Sequence, residues 1–277
     1  MNKNFNTDGI KVGWIAGMPR SGTTWLSQIF ASSPDVRLKF CPLFSYEFKN
    51  ALDENSSAEQ WEKLFSDLYQ TNSEFLDQDH LRKHGLVPSF DEKNENPRHL
   101  IIKSTRFHNL IPYVLKLNNK IHFVHIVRHQ CATIYSWINA PREFPEHADQ
   151  MKEWRIGECR KQGPGEFWGF DDWKKVTTQA LRLRKQYPDR YMILRYETLV
   201  KDTLHYTKEL FDFFHIPLGK QTQDFIALSQ SRHDRRKHSV FKDPKLKDKW
   251  EEMLDPTIVS ECLSEVRGTE LEQFVKS

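Results

Sequence analysis

The sequence predicts an α/β protein in which a central, mostly parallel sheet is flanked by helices in three layers, as one domain over residues 1–277. Three observations carry that expectation. Short apolar runs rich in β-branched and aromatic residues alternate with long stretches of helical patterning, which is how a sheet buried on both faces reads. Most of those runs lead straight into polar residues of functional type, as strand ends lining a ligand crevice do. Hydrophobic residues make up 38% of the chain and aromatics 13%, enough for a sizeable core.

The strands expected are Val12–Ala16, Leu100–Ile102, His122–Val127 and Tyr191–Leu194, with Val36–Phe40 as a further short one. A helix is expected over Thr23–Ala31, stopped near Ser32-Ser33-Pro34 because proline disfavours continuation. Thr133–Asn139, Trp173–Gln186 and Thr203–Phe214 also have helical patterning. Two stretches read as insertions or caps. Residues 53–96 are rich in Asp, Glu, Asn and Lys, with a helix expected around Ala58–Tyr69. Residues 140–172 hold several Pro and Gly residues together with Phe144, Trp154, Phe167, Trp168 and Phe170. Those aromatics suit either stacking on an acceptor ring or a hydrophobic core beneath a long loop.

A net charge of +3 with 29% charged residues is far from the cationic excess of a general nucleic-acid binder, so no nucleic-acid partner is expected. The cysteines Cys41, Cys131, Cys159 and Cys262 are scattered without zinc-ligand spacing, and are read as free thiols in a reducing compartment. No stretch approaches the ~20 apolar residues of a membrane span. The polar segment Met1–Lys11 lacks a secretory signal. The expected setting is cytoplasmic, with no membrane anchor.

The strongest motif is Gly17-Met18-Pro19-Arg20-Ser21-Gly22-Thr23-Thr24-Trp25, directly after the first expected strand. Two glycines five positions apart allow a tight turn whose backbone N–H groups point at an anion. The following helix adds unpaired N–H donors and a favourable dipole. Ser21, Thr23 and Thr24 supply hydroxyls and Arg20 a charge. The loop is P-loop-like, and so is the fold class expected around it. A nucleotide-triphosphatase loop would carry lysine after the second glycine, but Thr23 stands there and the cation has moved to Arg20. No magnesium-binding aspartate follows a strand either, which weighs against a kinase or other phosphoryl transferase.

At these residues the chain resembles the family of sulfotransferases that use 3′-phosphoadenosine 5′-phosphosulfate (PAPS), whose 5′-phosphosulfate loop has this pattern. The resemblance implies that Arg20, Ser21, Gly22, Thr23, Thr24 and Trp25 bind the donor. It also implies that Arg128, at the end of the strand His122–Val127, and Ser136, eight residues later, clamp the 3′-phosphate. Tyr196, in Arg195-Tyr196-Glu197-Thr198-Leu199, is similar to a family tyrosine near the adenine, and Glu197 reads as a structural acceptor. Arg236 and Lys237, in the basic run Arg235–His238, match an Arg-Lys pair that reaches the 3′-phosphate in cytosolic members, although His238 stands where those carry glycine.

Sulfuryl transfer requires an aligned acceptor, stabilisation of charge around the sulfur and a base for the acceptor proton. Arg20 and Lys103 are the electrostatic candidates. The histidine that serves as base in members acting on phenols and steroids is replaced by Thr105. Glu47, expected to be buried among Phe44, Tyr46 and Phe48 with a raised pKa, is the first candidate base. His108 is the second, and His80 and His84 are more distant ones. The expected reaction moves the sulfuryl group of PAPS to a hydroxyl or amine of a small-molecule or carbohydrate acceptor, releasing 3′-phosphoadenosine 5′-phosphate (PAP), with no metal required. A PAP-binding module without chemistry is the alternative that the missing histidine keeps open. Neither the acceptor nor the oligomeric state is legible.

Overall fold

The computed structural model describes residues 9–44, 46–141, 143–163, 165–231 and 248–275. Its strands are β1 (Lys11–Ala16), β2 (Val36–Phe40), β3 (His99–Ser104), β4 (His122–Val127) and β5 (Tyr191–Arg195). They form one five-stranded sheet in the order β2-β3-β1-β4-β5, and every pairing is parallel. The described helices are α1 (Thr23–Ala31), α2 (Ala58–Gln70), α3 (Asp79–Lys83), α4 (Ile111–Leu117), α5 (Gln130–Ile138), α6 (Gln150–Ile156), α7 (Gly169–Gln186), α8 (Tyr196–Lys201), α9 (Thr203–Phe214), α10 (Lys220–Ser231), α11 (Trp250–Met253) and α12 (Pro256–Val266). Among the described residues no helix is long and apolar enough to cross a membrane.

The strand order places the loop after β1 beside the end of β4, where the chain changes its direction of travel across the sheet. Open α/β sheets bind ligands at the carboxyl ends of strands at such a point. The β3 strand runs two residues beyond the expected Ile102, because Lys103 and Ser104 pair with Ile15 and Ala16 of β1. Sequence polarity marked an end there that the hydrogen-bonded ladder passes through.

The segment 53–96 contributes to the core. Helix α2 opens on a capping box, with Ser57 N donating to Gln60 Oε1 at 2.7 Å and Gln60 N donating to Ser57 Oγ at 3.3 Å. Its apolar face seats Trp61, Leu64, Phe65 and Leu68 in a core cluster with Trp14 of β1 and Phe123 of β4. A buried indole removes roughly 150–250 Å² from water, on the order of 4–6 kcal/mol of transfer free energy at ~25 cal/mol/Å² before ordering entropy is subtracted. The segment 140–172 behaves likewise. Phe144, Trp154, Phe167, Trp168 and Phe170 are all buried in a second cluster with Trp137 and Trp173. Packing between α5, α7 and α12, not stacking on an acceptor ring, accounts for these aromatics.

Candidate site at the carboxyl ends of β1 and β4

The turn from β1 into α1 is shaped by two tight approaches. A Cβ on Gly17 would lie 2.7 Å from the Ile126 carbonyl oxygen, so only glycine lets this loop pass close to β4. Gly22 has φ +90°, and a Cβ there would meet the Tyr196 ring at 2.5 Å. Arg20 also adopts a positive φ of 71°, a conformation that costs a non-glycine residue energy and concentrates at functional sites. No side chain caps α1, so its first N–H groups are left to the loop. Ser21 Oγ is buried and has no hydrogen-bond partner among the described residues. A turn with orphaned donors, a glycine-lined wall and an adjacent guanidinium fits an anionic phosphate group.

Arg20 is the hub. Its Nε donates to Ser136 Oγ at 3.1 Å, its carbonyl accepts from Arg128 Nη1 at 3.2 Å, and its Nη1 lies 3.4 Å from Glu143 Oε2. Ser136 therefore touches the loop arginine, and Arg128 is tied to that loop's backbone, so the two expected phosphate motifs share one node. Arg128 is held from behind, its carbonyl accepting from Trp173 Nε1 at 3.0 Å. Tyr196 fills the space between the loops. Its ring lies under the Arg128 guanidinium at 4.7 Å and edge-on to Trp25 at 6.3 Å. Trp25 is anchored in turn to α10 by a 3.2 Å bond from Nε1 to Ser229 Oγ. Glu197 accepts from His129 N at 2.9 Å, the structural acceptor role read from the sequence.

Lys103 is buried at 3% exposure, with its ammonium 4.3 Å from the centre of the Phe40 ring. Burial pushes its pKa below the ordinary lysine value, Cys41 and Glu143 pull it up, and Arg20 and Arg106 add to the depression. The lysine thus belongs to the same charge cluster as Arg20. Arg106 completes that cluster: it pairs with Glu166, stacks over Phe44 at 3.6 Å, and has its pKa lowered by burial to about 10.

The candidate bases fare differently. Glu47 is exposed on the short turn Tyr46–Phe48, and Tyr46 beside it is 69% exposed. The expected apolar burial of Glu47 does not form, because the one-turn helix projects outward and has no buried residue. His108 is enclosed at 1% exposure beneath the loop, near the backbone of Gly17 and Thr105, with its ring 5.1 Å from Phe167 and 5.6 Å from His125. Burial pushes its pKa down to about 4. His80 stacks on Phe75, and His84 is exposed just after α3. Arg236 and Lys237 lie outside the described residues.

Sequence reasoning missed Glu143 and the Arg106–Glu166 pair. Nothing local marks Glu143, which lies two positions after Pro141 in an irregular segment, and its proximity to Arg20 spans a sequence separation of 123 residues.

A family model described as "Sulfotransferase family" matches residues 14–220. Among solved structures, the chain is similar to mouse sulfotransferase SULT7A1 complexed with PAP (16% identity, TM-score 0.58, covering 96% of this chain and 88% of that one). It is also similar to the sulfotransferase domain of the Synechococcus PCC 7002 olefin synthase (18% identity, TM-score 0.56, 96% and 94% covered). The sulfotransferase domain from the curacin biosynthetic pathway matches at 19% identity and TM-score 0.54, with 93% and 97% covered. No curated protein sequence matches the chain. With three quarters of its length matched by the family model, the chain belongs to the sulfotransferase family.

Proposed function

We propose that this enzyme transfers the sulfuryl group of PAPS to a hydroxyl or amine acceptor by in-line displacement, with no metal required. The observation that carries the reading is the Arg20 node, where the loop after β1, the end of β4 and helix α5 meet through Arg20, Arg128 and Ser136. Ser21, Gly22, Thr23 and Thr24 would hold the 5′-phosphosulfate against the uncapped start of α1, with Trp25 bracing the loop. Arg128 and Ser136 would hold the 3′-phosphate, and Tyr196 would present its ring toward the adenine. PAPS supplies an activated sulfur whose leaving group is a phosphate. Arg20 and Lys103 would stabilise the charge that gathers on the departing oxygen and around the sulfur. We place the enzyme in the cytoplasm, where its four cysteines would remain free thiols. The similar mouse enzyme is complexed with PAP, and a similar retinol dehydratase with retinol and PAP, which supports PAP as product and a small-molecule acceptor here.

Calorimetry with PAP, using Mg-ATP as control, tests the donor assignment on the wild type and on Arg128→Ala. PAP should bind without added metal. The variant should lose roughly 10–150-fold in affinity, the equivalent of one charge-assisted phosphate contact at about 1.5–3 kcal/mol. A preference for Mg-ATP, or wild-type affinity in the variant, would overturn the assignment.

A further inference from the structure

The transfer chemistry needs a base, and among the described residues the charge cluster offers few. Position 105 is threonine, Glu47 is exposed on an outward turn, and His108 is sealed beneath the loop. Glu166 is fully engaged: it pairs with Arg106 and also accepts from the backbone N–H groups of Gln162 and Gly163, at 5% side-chain exposure.

Glu143 is placed differently. Its carboxylate lies 3.4 Å from Arg20 Nη1, and its side chain is 28% exposed, so one side faces the cluster and another remains open to an incoming molecule. Its charge also acts on Lys103 and Arg106. Among the described residues the charged groups that face it are thus Arg20, Lys103 and Arg106, with Cys41 acting on Lys103 and Arg106. The backbone of Glu143 is pinned. Its N–H donates to the Ala140 carbonyl at 2.9 Å, and its own carbonyl accepts from Trp137 Nε1 at 3.1 Å. Trp137 is itself buried and packs edge-on against Phe144 at 5.1 Å. Consecutive residues of α5 therefore set both partners, Ser136 holding the Arg20 guanidinium and Trp137 holding the Glu143 backbone. A general base must come within hydrogen-bond reach of the acceptor's proton, and a partly exposed carboxylate held beside Arg20 is the described acidic group of the cluster that remains available for it.

We propose that Glu143 is the catalytic base of the sulfuryl transfer. This rests on the PAPS reading above. As the acceptor's oxygen or nitrogen forms its bond to sulfur, its proton passes to the Glu143 carboxylate. The bond from sulfur to the bridging oxygen breaks, and its electron pair leaves on the 5′-phosphate of PAP, facing Arg20.

The test compares wild type, Glu143→Gln and Glu143→Asp in two assays. Calorimetry with PAP reads the donor site, and PAP release from PAPS reads turnover with p-nitrophenol, glucose, ethanolamine or water alone as acceptor. Glu143→Gln should bind PAP at least as tightly as wild type, since a carboxylate beside the phosphate site has been neutralised. Its kcat should fall by ~10²–10⁴-fold and lose the acid limb of its pH profile, with Glu143→Asp recovering part of both. Wild-type kcat and pH profile in Glu143→Gln would overturn the proposal while leaving PAP binding standing. So would a wild type that binds PAP but turns PAPS over with none of these acceptors, because a base in place activates water as well. Failure of the wild type to bind PAP would instead sink the parent reading.

Discussion

Replacing Gly22 by alanine probes the contact that joins the two halves of the site. At φ +90° a β-carbon is strained wherever it points, by roughly 1–2 kcal/mol. Here it would also lie 2.5 and 2.7 Å from two carbons of the Tyr196 ring, which must retreat by about 1 Å to reach ordinary contact. The ring has little room to do so, because Arg128 lies over its face at 4.7 Å and Trp25 abuts it at 6.3 Å. Overpacking of this kind adds roughly 1–3 kcal/mol, so the total destabilisation should be about 2–5 kcal/mol. Gly268 provides the internal control, with φ +74° but nothing within 4 Å of an added methyl group, so Gly268→Ala should show the backbone strain alone. The assays are urea denaturation for stability and calorimetry with PAP for the site. Displacing Tyr196 moves Arg128, so Gly22→Ala should weaken PAP by at least ~10-fold, about 1.4 kcal/mol, while Gly268→Ala leaves it unchanged. Equal stabilities and equal affinities for the two variants would refute the claim that Tyr196 couples the loop to Arg128.

Two further predictions concern buried charge. His108 titrates near 4 in the fold against an unfolded value of ~6.5, so its neutral form is favoured. The resulting stability is complete above pH ~6.5 and is lost as pH falls toward 4, up to about 3 kcal/mol from this residue. His125, shifted in the same direction by burial, adds to that slope. Urea midpoints at about pH 7.5 and 4.5 should differ less in His108→Phe than in wild type, and an unchanged difference would contradict the assignment. Glu166→Ala should cost about 3–5 kcal/mol in denaturation experiments, since it strands the buried Arg106 and two backbone donors. A loss below ~1 kcal/mol would mean the pair is solvated in solution.

Much of this protein was written in local pattern. The turn Gly17–Gly22, the helix Thr23–Ala31 and the strands β2 and β4 appear where periodicity and turn chemistry put them, because each depends on residues close in sequence. The family resemblance rested on that loop and on the Arg128 and Ser136 pair, each a short local pattern. The length of β3 was not legible, because Lys103 and Ser104 are held in the strand by partners on β1, not by their own propensity. The aromatics of residues 140–172 were ambiguous for the same reason, since an apolar side chain declares that it will be buried but not against what. Tertiary structure alone decided the charge cluster. Local sequence offered Glu47 as an enclosed carboxylate, and the fold left it on an outward turn. It brought Glu143 to Arg20 across 123 residues and sealed His108 beneath the loop. Backbone turns and strands follow from near neighbours, whereas the environment of an ionisable group is set by whichever distant segments the packed core brings against it.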